Sequence, residues 1–280
     1  MGNFLDKLYK ENRFVKFLFS GYLLLKLPFF FGKTRKGTDL YSQGFKTIDG
    51  FMPKEECDRI IRDFDHHFLK EIPSEESDAY IVSRKTTPQY VYDKNVFQLM
   101  NYHHLNWAIQ EQYEAKILSL FREQLGQDLC IASYTVQLDL PDTETKRPFH
   151  TDGFQVNYKL FIYLNDVPGK ENGPYTVIPG SHRHYLRKWR NLFANLFSGN
   201  PSPDDMKSGY SDKDATSLTA DAGTAILSCQ ALAHKGWQGH SQNRRYVLIV
   251  YLRAKERDGE RFVLGRDMAI SAPMNLYDPG

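Results

Sequence analysis

The feature that most constrains the fold of this chain is a strict alternation of apolar and polar residues in the segment 129–140. Its even positions from 132 to 140 are apolar and its odd positions from 133 to 139 are polar. That is the period of a β-strand with two different faces. Turn signals rich in Pro, Gly, Asn and Asp follow this segment and separate further strand-like runs. Those runs are 158–164, 175–178, 224–230 and 245–253.

Two helices are predicted ahead of these strands. Pro53 opens the first, with Glu55 and Glu56 in the first turn, where the helix dipole favours acidic side chains. The second spans about 105–125 and ends at Gly126. Because helices do not alternate with strands afterwards, a parallel α/β sheet is not expected. The predicted fold class is mainly β with flanking helices, an antiparallel sandwich or barrel.

Charge and cysteine content narrow the function class. The net charge of the 280 residues is only +2, so no extended nucleic-acid-binding surface is expected. The three cysteines, Cys57, Cys130 and Cys229, are odd in number and far apart. This pattern is typical of a reducing compartment rather than of a disulfide framework, and it predicts a cytoplasmic protein.

The first 36 residues depart from the neutral balance. They contain eight Lys or Arg and two Asp or Glu, and eight less two gives +6. Their apolar stretch 17–31, interrupted by Lys26 and Pro28, is shorter than the ~20 residues that a membrane-spanning helix needs. Two interpretations stay open. The segment is either a helix packed on the core or an interfacial helix resting on anionic lipid, which would make the protein membrane-associated.

The expected organisation is a helical leader, 1–40, followed by one domain, 41–280, with an insertion at 183–222. The insertion begins with basic and aromatic residues and passes through a Gly/Pro-rich stretch at 199–203. A connection of this length is typical of a lid, a binding loop or a disordered surface. Its basic start, 183–190, is either a solvated helix or a contact for an anionic group of a substrate.

A metal site is predicted at His150, Asp152 and His234. His-x-Asp on an extended segment puts both side chains on one face, because side chains alternate along a strand. His234 lies 84 residues later, just after the strand-like run 224–230, so an adjacent antiparallel strand can deliver it. Two imidazoles and one carboxylate on one face of an octahedral ion suit Fe(II) oxygenases. His240 is the competing third ligand.

Arg245 follows His234 by eleven residues and opens an apolar strand. An arginine at the start of a buried strand is expected to pair with an anion, and a carboxylate of a bound 2-oxo diacid is suitable. Arg244 is the competing residue.

Two blocks carry a family resemblance, HTDGFQVNYKLFIYLNDVPGKENGPYTVIPGSH at 150–182 and AGTAILSCQALAHKGWQGHSQNRRYVLIVYL at 222–252. In this order of motifs the chain resembles the phytanoyl-CoA dioxygenase-like family of Fe(II)/2-oxoglutarate oxygenases over about residues 40–255. The resemblance implies a double-stranded β-helix, or jelly roll, with iron at its open end. It also implies His150, Asp152 and His234 as catalytic metal ligands and Arg245 as the 2-oxoglutarate anchor.

Other positions in the same blocks are less specific. Lys159 and Tyr163 share one strand face and, if that face points inward, are expected to help to bind 2-oxoglutarate or substrate. The alternative is a lysine that extends to solvent and a core tyrosine. Gln137 is expected to reach the same pocket. Gly236 stands where relatives often have a serine that bonds the cosubstrate.

The function implied by this resemblance is hydroxylation of a C–H bond in a small organic substrate, anionic or lipid-linked, with consumption of O₂ and release of succinate and CO₂. Related halogenating enzymes lack the carboxylate ligand, so the presence of Asp152 favours hydroxylation. Two alternatives stay open. One is a jelly-roll metal enzyme, such as an isomerase or epimerase, that does not use 2-oxoglutarate, and the other is a non-catalytic binding module.

Overall fold

The fold was analysed in a computed structural model of the chain, which describes residues 12–31, 34–69, 80–83, 96–140, 148–154, 157–199, 202–236 and 244–254. Within these ranges no helix is both long and apolar enough to cross a membrane.

A seven-stranded antiparallel sheet forms one wall of the domain. Its strands are β1 (Phe45–Ile48), β2 (Tyr80–Ser83), β3 (Val96–Met100), β4 (Leu129–Asp139), β5 (Tyr158–Tyr163), β8 (Ala225–Cys229) and β10 (Arg245–Ala254). Their order in the sheet is β1-β8-β5-β10-β4-β3-β2. The longest ladder joins β4 and β10, and it aligns Asp139 with Arg245 and Gln137 with Val247.

A smaller sheet forms the opposite wall. It contains β7 (Thr216–Leu218), β6 (Tyr175–Val177) and β9 (His234–Gly236), in that order. An isolated bridge between His150 and His234 adds the segment around His150 to its edge. Strands of one chain that alternate between two facing antiparallel sheets form a jelly roll. The predicted double-stranded β-helix is confirmed.

The two faces of the large sheet have different partners. Side chains at Phe161, Val247 and Ile249 point into the roll, where they join an apolar cluster with Tyr175 and Val177 of the small sheet. The alternate residues of the same strands pack against helices in a second, larger cluster. The alternation predicted for β4 follows from this arrangement, since its even positions meet the helices and its odd positions line the interior of the roll.

Helices cover the outside of the large sheet. The predicted second helix is present with Gly126 as its cap in the left-handed region at φ 69°. A Cβ at Gly223, where φ is +84°, would lie 2.0 Å from the carbonyl oxygen of Met52, so the turn into β8 requires glycine. In the part of the chain that the structure describes, the helices of four or more residues are α1 (Arg13–Phe31), α2 (Asp39–Ser42), α3 (Lys54–Leu69), α4 (Trp107–Leu125) and α5 (Tyr185–Phe197).

The segment 183–222, for which a lid, a binding loop or a disordered surface is expected, is not a simple connection. The segment contains α5 and β7, and β7 is an integral strand of the small sheet, so the described part of it has regular secondary structure. α5 packs against α1 on the outside of the domain. Strands β2 and β3 were not predicted either, because each is a short apolar run without clear alternation.

Candidate metal centre

The two histidines are placed opposite each other by backbone pairing. The amide of His150 donates to the carbonyl of His234 at 2.9 Å, and the amide of His234 donates back at 2.8 Å. Residues that exchange both bonds in an antiparallel pair have side chains on the same side of the sheet. The ring centroids are 4.5 Å apart. An adjacent antiparallel strand therefore brings His234 to His150, as the sequence predicted.

Asp152 completes the cluster from the same strand face as His150. Its amide donates to the carbonyl of Gln230 at 3.0 Å, which fixes this end of the segment. Its carboxylate oxygens lie 3.8 Å from Nε2 of His150 and 3.5 Å from Nε2 of His234. Ligand atoms of His150, Asp152 and His234 all lie within 4.8 Å of one another, which is close enough to hold one metal ion. The structure thus brings together the three predicted ligands, whereas the competing His240 lies outside the described residues.

Both imidazoles are held in the same tautomer. Nδ1 of His150 lies 3.1 Å from the carbonyl oxygen of Pro148, and Nδ1 of His234 lies 2.9 Å from that of Leu232. A carbonyl oxygen only accepts, so each Nδ1 carries the hydrogen and each Nε2 keeps its lone pair. Both lone pairs face Asp152. Backbone carbonyls that orient imidazole ligands in this way are typical of metal sites, so these residues fit a first-row dication.

Lys159 controls the charge at Asp152. Its Nζ lies 2.5 Å from Oδ2 of Asp152 and 4.8 Å from the ring centroid of Tyr251. Burial alone would raise the pKa of the Asp152 carboxyl, but the Lys159 ammonium outweighs burial and holds this pKa well below its usual range. The carboxylate is therefore ionised at neutral pH, as metal ligation requires.

Arg245 points into the roll, but the protein itself supplies the anion that pairs with it. Nε of Arg245 lies 2.6 Å from Oδ2 of Asp139, Nη2 bonds the same oxygen, and Nη1 donates to the carbonyl of Gly173. The expected anion is thus present within the protein, because Asp139 faces Arg245 across the β4–β10 ladder. The competing Arg244 is half exposed on the outside, near Asp65 and Tyr246.

Gln137 and Tyr163 line the interior of the roll but have structural partners. The side-chain Oε1 of Gln137 accepts from Nε2 of Gln98 at 2.8 Å, and its Nε2 donates to Oδ1 of Asp139 at 3.1 Å. The Tyr163 hydroxyl donates to the carbonyl of Leu218 at 2.8 Å and accepts from the amide of Tyr175 at 2.9 Å. The hydroxyl hydrogen of Tyr163 is thus committed to joining the two sheets and is not available to a carboxylate ligand. Gln137 and Arg245 form a polar chain through Asp139.

Sequence reasoning missed two residues beside the metal cluster. The ring of Tyr175 lies 5.2 Å from that of His234 and stacks on Phe161 at 4.5 Å. Its hydroxyl lies 3.0 Å from Oγ of Ser228. Both Tyr175 and Ser228 are buried inside the roll. The period of two in β6 and β8 gave a signal for their inward direction, but only the fold shows that Tyr175 lies beside His234 and that its hydroxyl meets Ser228.

Comparisons with known proteins identify relatives of this chain among 2-oxoglutarate-dependent dioxygenases. The family model described as phytanoyl-CoA dioxygenase (PhyH) matches residues 40–247. A curated relative, the "Probable alpha-ketoglutarate-dependent hypophosphite dioxygenase" of Stutzerimonas stutzeri, is 24% identical over 223 residues, which are 76% of this chain and 76% of that protein.

Two solved structures share the fold at lower identity. HygX from Streptomyces hygroscopicus, with nickel and 2-oxoglutarate bound, is 13% identical with a TM-score of 0.52, over 77% of this chain and 85% of that one. SnoN, a non-heme alpha ketoglutarate dependent epimerase from nogalamycin biosynthesis, is also 13% identical with a TM-score of 0.52, over 82% and 84% of the two chains. At these identities the likeness shows a common fold.

Proposed function

This chain belongs to the phytanoyl-CoA dioxygenase family, whose members are Fe(II)- and 2-oxoglutarate-dependent oxygenases, and on that basis we propose that it hydroxylates a C–H bond of a small organic substrate. The observation that carries the proposal is the matched orientation of two imidazoles. Each Nδ1 bonds a backbone carbonyl, and each Nε2 faces the carboxylate of Asp152. This geometry supports one dication held by His150, Asp152 and His234.

In this proposal His150, Asp152 and His234 would hold ferrous iron. Ferrous iron and 2-oxoglutarate would together supply the chemistry, in which O₂ oxidises a substrate C–H bond and 2-oxoglutarate becomes succinate and CO₂. The carboxylate of Asp152 favours hydroxylation, because related halogenating enzymes lack this ligand. Lys159, at 2.5 Å from Asp152, holds the carboxylate ionised and in place before the metal arrives.

Arg245 is the proposed anchor for the distal carboxylate of 2-oxoglutarate. The described bonds to Asp139 and Gly173 use three of its five N–H groups, so two remain for a ligand inside the roll. Asp139 then fixes the direction in which the guanidinium points. The Tyr163 ring and the Val247 side chain pair beside it on neighbouring strands and supply an apolar wall.

The test is turnover with Fe(II) and 2-oxoglutarate under ¹⁸O₂, with a mixture of small organic acids, amines and amphiphiles as candidate substrates. We expect succinate to form and one product to gain a single ¹⁸O atom. The matched control is His234→Ala, which should release no succinate above background. A product that is rearranged or epimerised without gaining oxygen contradicts hydroxylation, and a product formed without any succinate contradicts the use of 2-oxoglutarate.

A further inference from the structure

Helix α1 presents an unusual apolar stripe to solvent. Phe14, Leu18, Leu25 and Phe29 recur at helical spacing and are all exposed, and 79% of Phe29 is accessible. Other residues of the same helix, such as Leu24, are buried against the domain. A helix with apolar residues on both its buried and its exposed side has a second surface to cover.

Helix α5 continues this surface, and it exposes large apolar side chains while it buries polar ones. Leu186 and Phe197 are 86% and 83% exposed, and Phe193 between them is exposed as well. The opposite face of the helix buries Leu192 together with polar residues, of which Lys188 donates to the carbonyl of Ser181. Large apolar side chains that are exposed together in this way mark a surface that meets an apolar environment.

An open apolar groove joins the two helices. The helices approach closely at Gly21, where an added Cβ would lie 3.5 Å from the ring of Trp189. The groove has a volume of about 360 Å³, and its walls are almost entirely apolar. Phe14, Leu18 and Leu25 line one wall, while Trp189 and Phe193 line the other. The stripe and the groove form one continuous apolar surface, which we name the α1–α5 surface.

The charged side chains of the two helices that form the α1–α5 surface have one sign. Neither helix contains an Asp or Glu residue. Exposed cations flank the apolar residues: Lys26 lies over the ring of Tyr22 at 4.2 Å, and Arg187 and Arg190 lie on α5. Aromatic and leucine side chains surrounded by lysine and arginine are the composition of interfacial helices that bind anionic membranes.

We propose that the α1–α5 surface docks the protein on the face of a lipid bilayer that contains anionic headgroups. The apolar stripe enters the boundary between headgroups and acyl chains, and the flanking cations contact phosphate or carboxylate groups. A second copy of this chain is a poorer occupant. Two copies that met through the same surface would bring Lys26, Arg187 and Arg190 of each copy together, which is unfavourable.

Docking through this surface has a consequence for the metal site. The buried face of α5 supports the two segments that carry the histidines. Asn195 donates to the carbonyl of Asp205 at 2.7 Å, and Asp205 forms a β-bridge with His150. Near His234, Oγ of Ser181 accepts from the amide of Ala233 at 2.8 Å, and the carbonyl of the same serine is bonded by the lysine of α5. The helix that would rest on the bilayer therefore also supports the segments that carry His150 and His234.

The experiment uses the full chain and flotation with vesicles of phosphatidylcholine, with or without phosphatidylserine. We expect the wild-type protein to float with the anionic vesicles and to bind the neutral vesicles much more weakly. Leu186→Asn with Phe197→Asn removes two exposed anchors and should abolish flotation without a change in melting temperature. Lys26→Gln with Arg190→Gln should weaken binding to anionic vesicles by roughly 30-fold.

The matched control is Lys54→Gln with Lys213→Gln, which removes the same charge from α3 and from the connection before β7 and should leave binding unchanged. Absence of wild-type flotation overturns the proposal, as does wild-type binding by the Leu186→Asn/Phe197→Asn variant. Sedimentation velocity adds a third outcome. If the wild-type protein does not bind vesicles but forms a dimer, and Leu186→Asn with Phe197→Asn dissociates that dimer, the surface binds a second copy of the chain. None of these readouts depends on oxygenase activity.

Discussion

Arg245→Gln is expected to weaken 2-oxoglutarate binding by roughly 150-fold. In the folded chain Asp139 and Gly173 take three of the five N–H groups of Arg245, which leaves two for a carboxylate. A hydrogen bond with a charged partner contributes about 1.5–3 kcal/mol. Two such bonds at the lower limit give about 3 kcal/mol, which corresponds to the expected loss of affinity.

The same substitution also removes the partner of a buried carboxylate. The side chain of Asp139 is only 9% exposed, and Gln137 is its other described partner. Leaving a buried charge unpaired costs about 3 kcal/mol or more in folding free energy. Loss of binding by Arg245→Gln alone would therefore not separate an anchor from a structural residue.

The double variant Arg245→Gln/Asp139→Asn makes that separation. It replaces both charged side chains by amides that can hydrogen-bond to each other, so the melting temperature should recover toward that of the wild type. Binding of 2-oxoglutarate, measured by anaerobic calorimetry on the Fe(II)-loaded protein, should remain about as weak as in Arg245→Gln. Asp139→Asn alone keeps the guanidinium and should bind 2-oxoglutarate at least as well as the wild type. Wild-type affinity in the double variant would refute the anchor role of Arg245.

Two further predictions concern stability. Gly223→Ala should lower the free energy of unfolding, measured in urea titrations, by about 3 kcal/mol or more, because the new Cβ would clash with the Met52 carbonyl. Gly50→Ala is the control: a Cβ at this position has nothing within 4 Å, and the substitution should lower the free energy of unfolding by about 1 kcal/mol. Burial, assisted by Lys188, lowers the pKa of His182 to about 3, so the unfolded chain binds a proton there that the folded chain does not. Stability should therefore fall by about 2 kcal/mol between pH 6.5 and pH 4.5, and His182→Gln should remove that part of the slope; an unchanged slope would contradict this assignment.

Local patterns predicted much of the fold and the candidate metal site. The alternation along β4 survives although both of its faces are buried, because the side that lines the roll contains polar residues such as Thr135 and Gln137. His150 and Asp152 share a face by strand geometry alone. The position of His234 followed from its strand context, and the family resemblance is confirmed by the match over residues 40–247.

Features that depend on distant pairing were not predictable from local patterns. Asp139 and Arg245 are 106 positions apart, so neither residue's neighbours indicate the ion pair. A helix at 183–190 was one of the two interpretations that the sequence left open, but the extent of α5 and the face that it buries were not predicted, for a different reason. Its buried face contains Lys188, Asn191 and Asn195, while Leu186 and Phe197 are exposed. Pattern reading assumes that apolar residues face the core, and this helix reverses that assumption because its polar face supports the segments on which the histidines lie.

The central claim is that His150, Asp152 and His234 hold one ferrous ion through the Nε2 atoms of both imidazoles. A crystal structure of the protein loaded with Fe(II) under anaerobic conditions, with anomalous data at the iron edge, tests it directly. We predict one iron peak per chain within about 2.0–2.2 Å of both Nε2 atoms and of a carboxylate oxygen of Asp152, with each Nδ1 still bonded to its backbone carbonyl. A peak at another group of residues, coordination through Nδ1, or no iron at these three side chains would contradict the account.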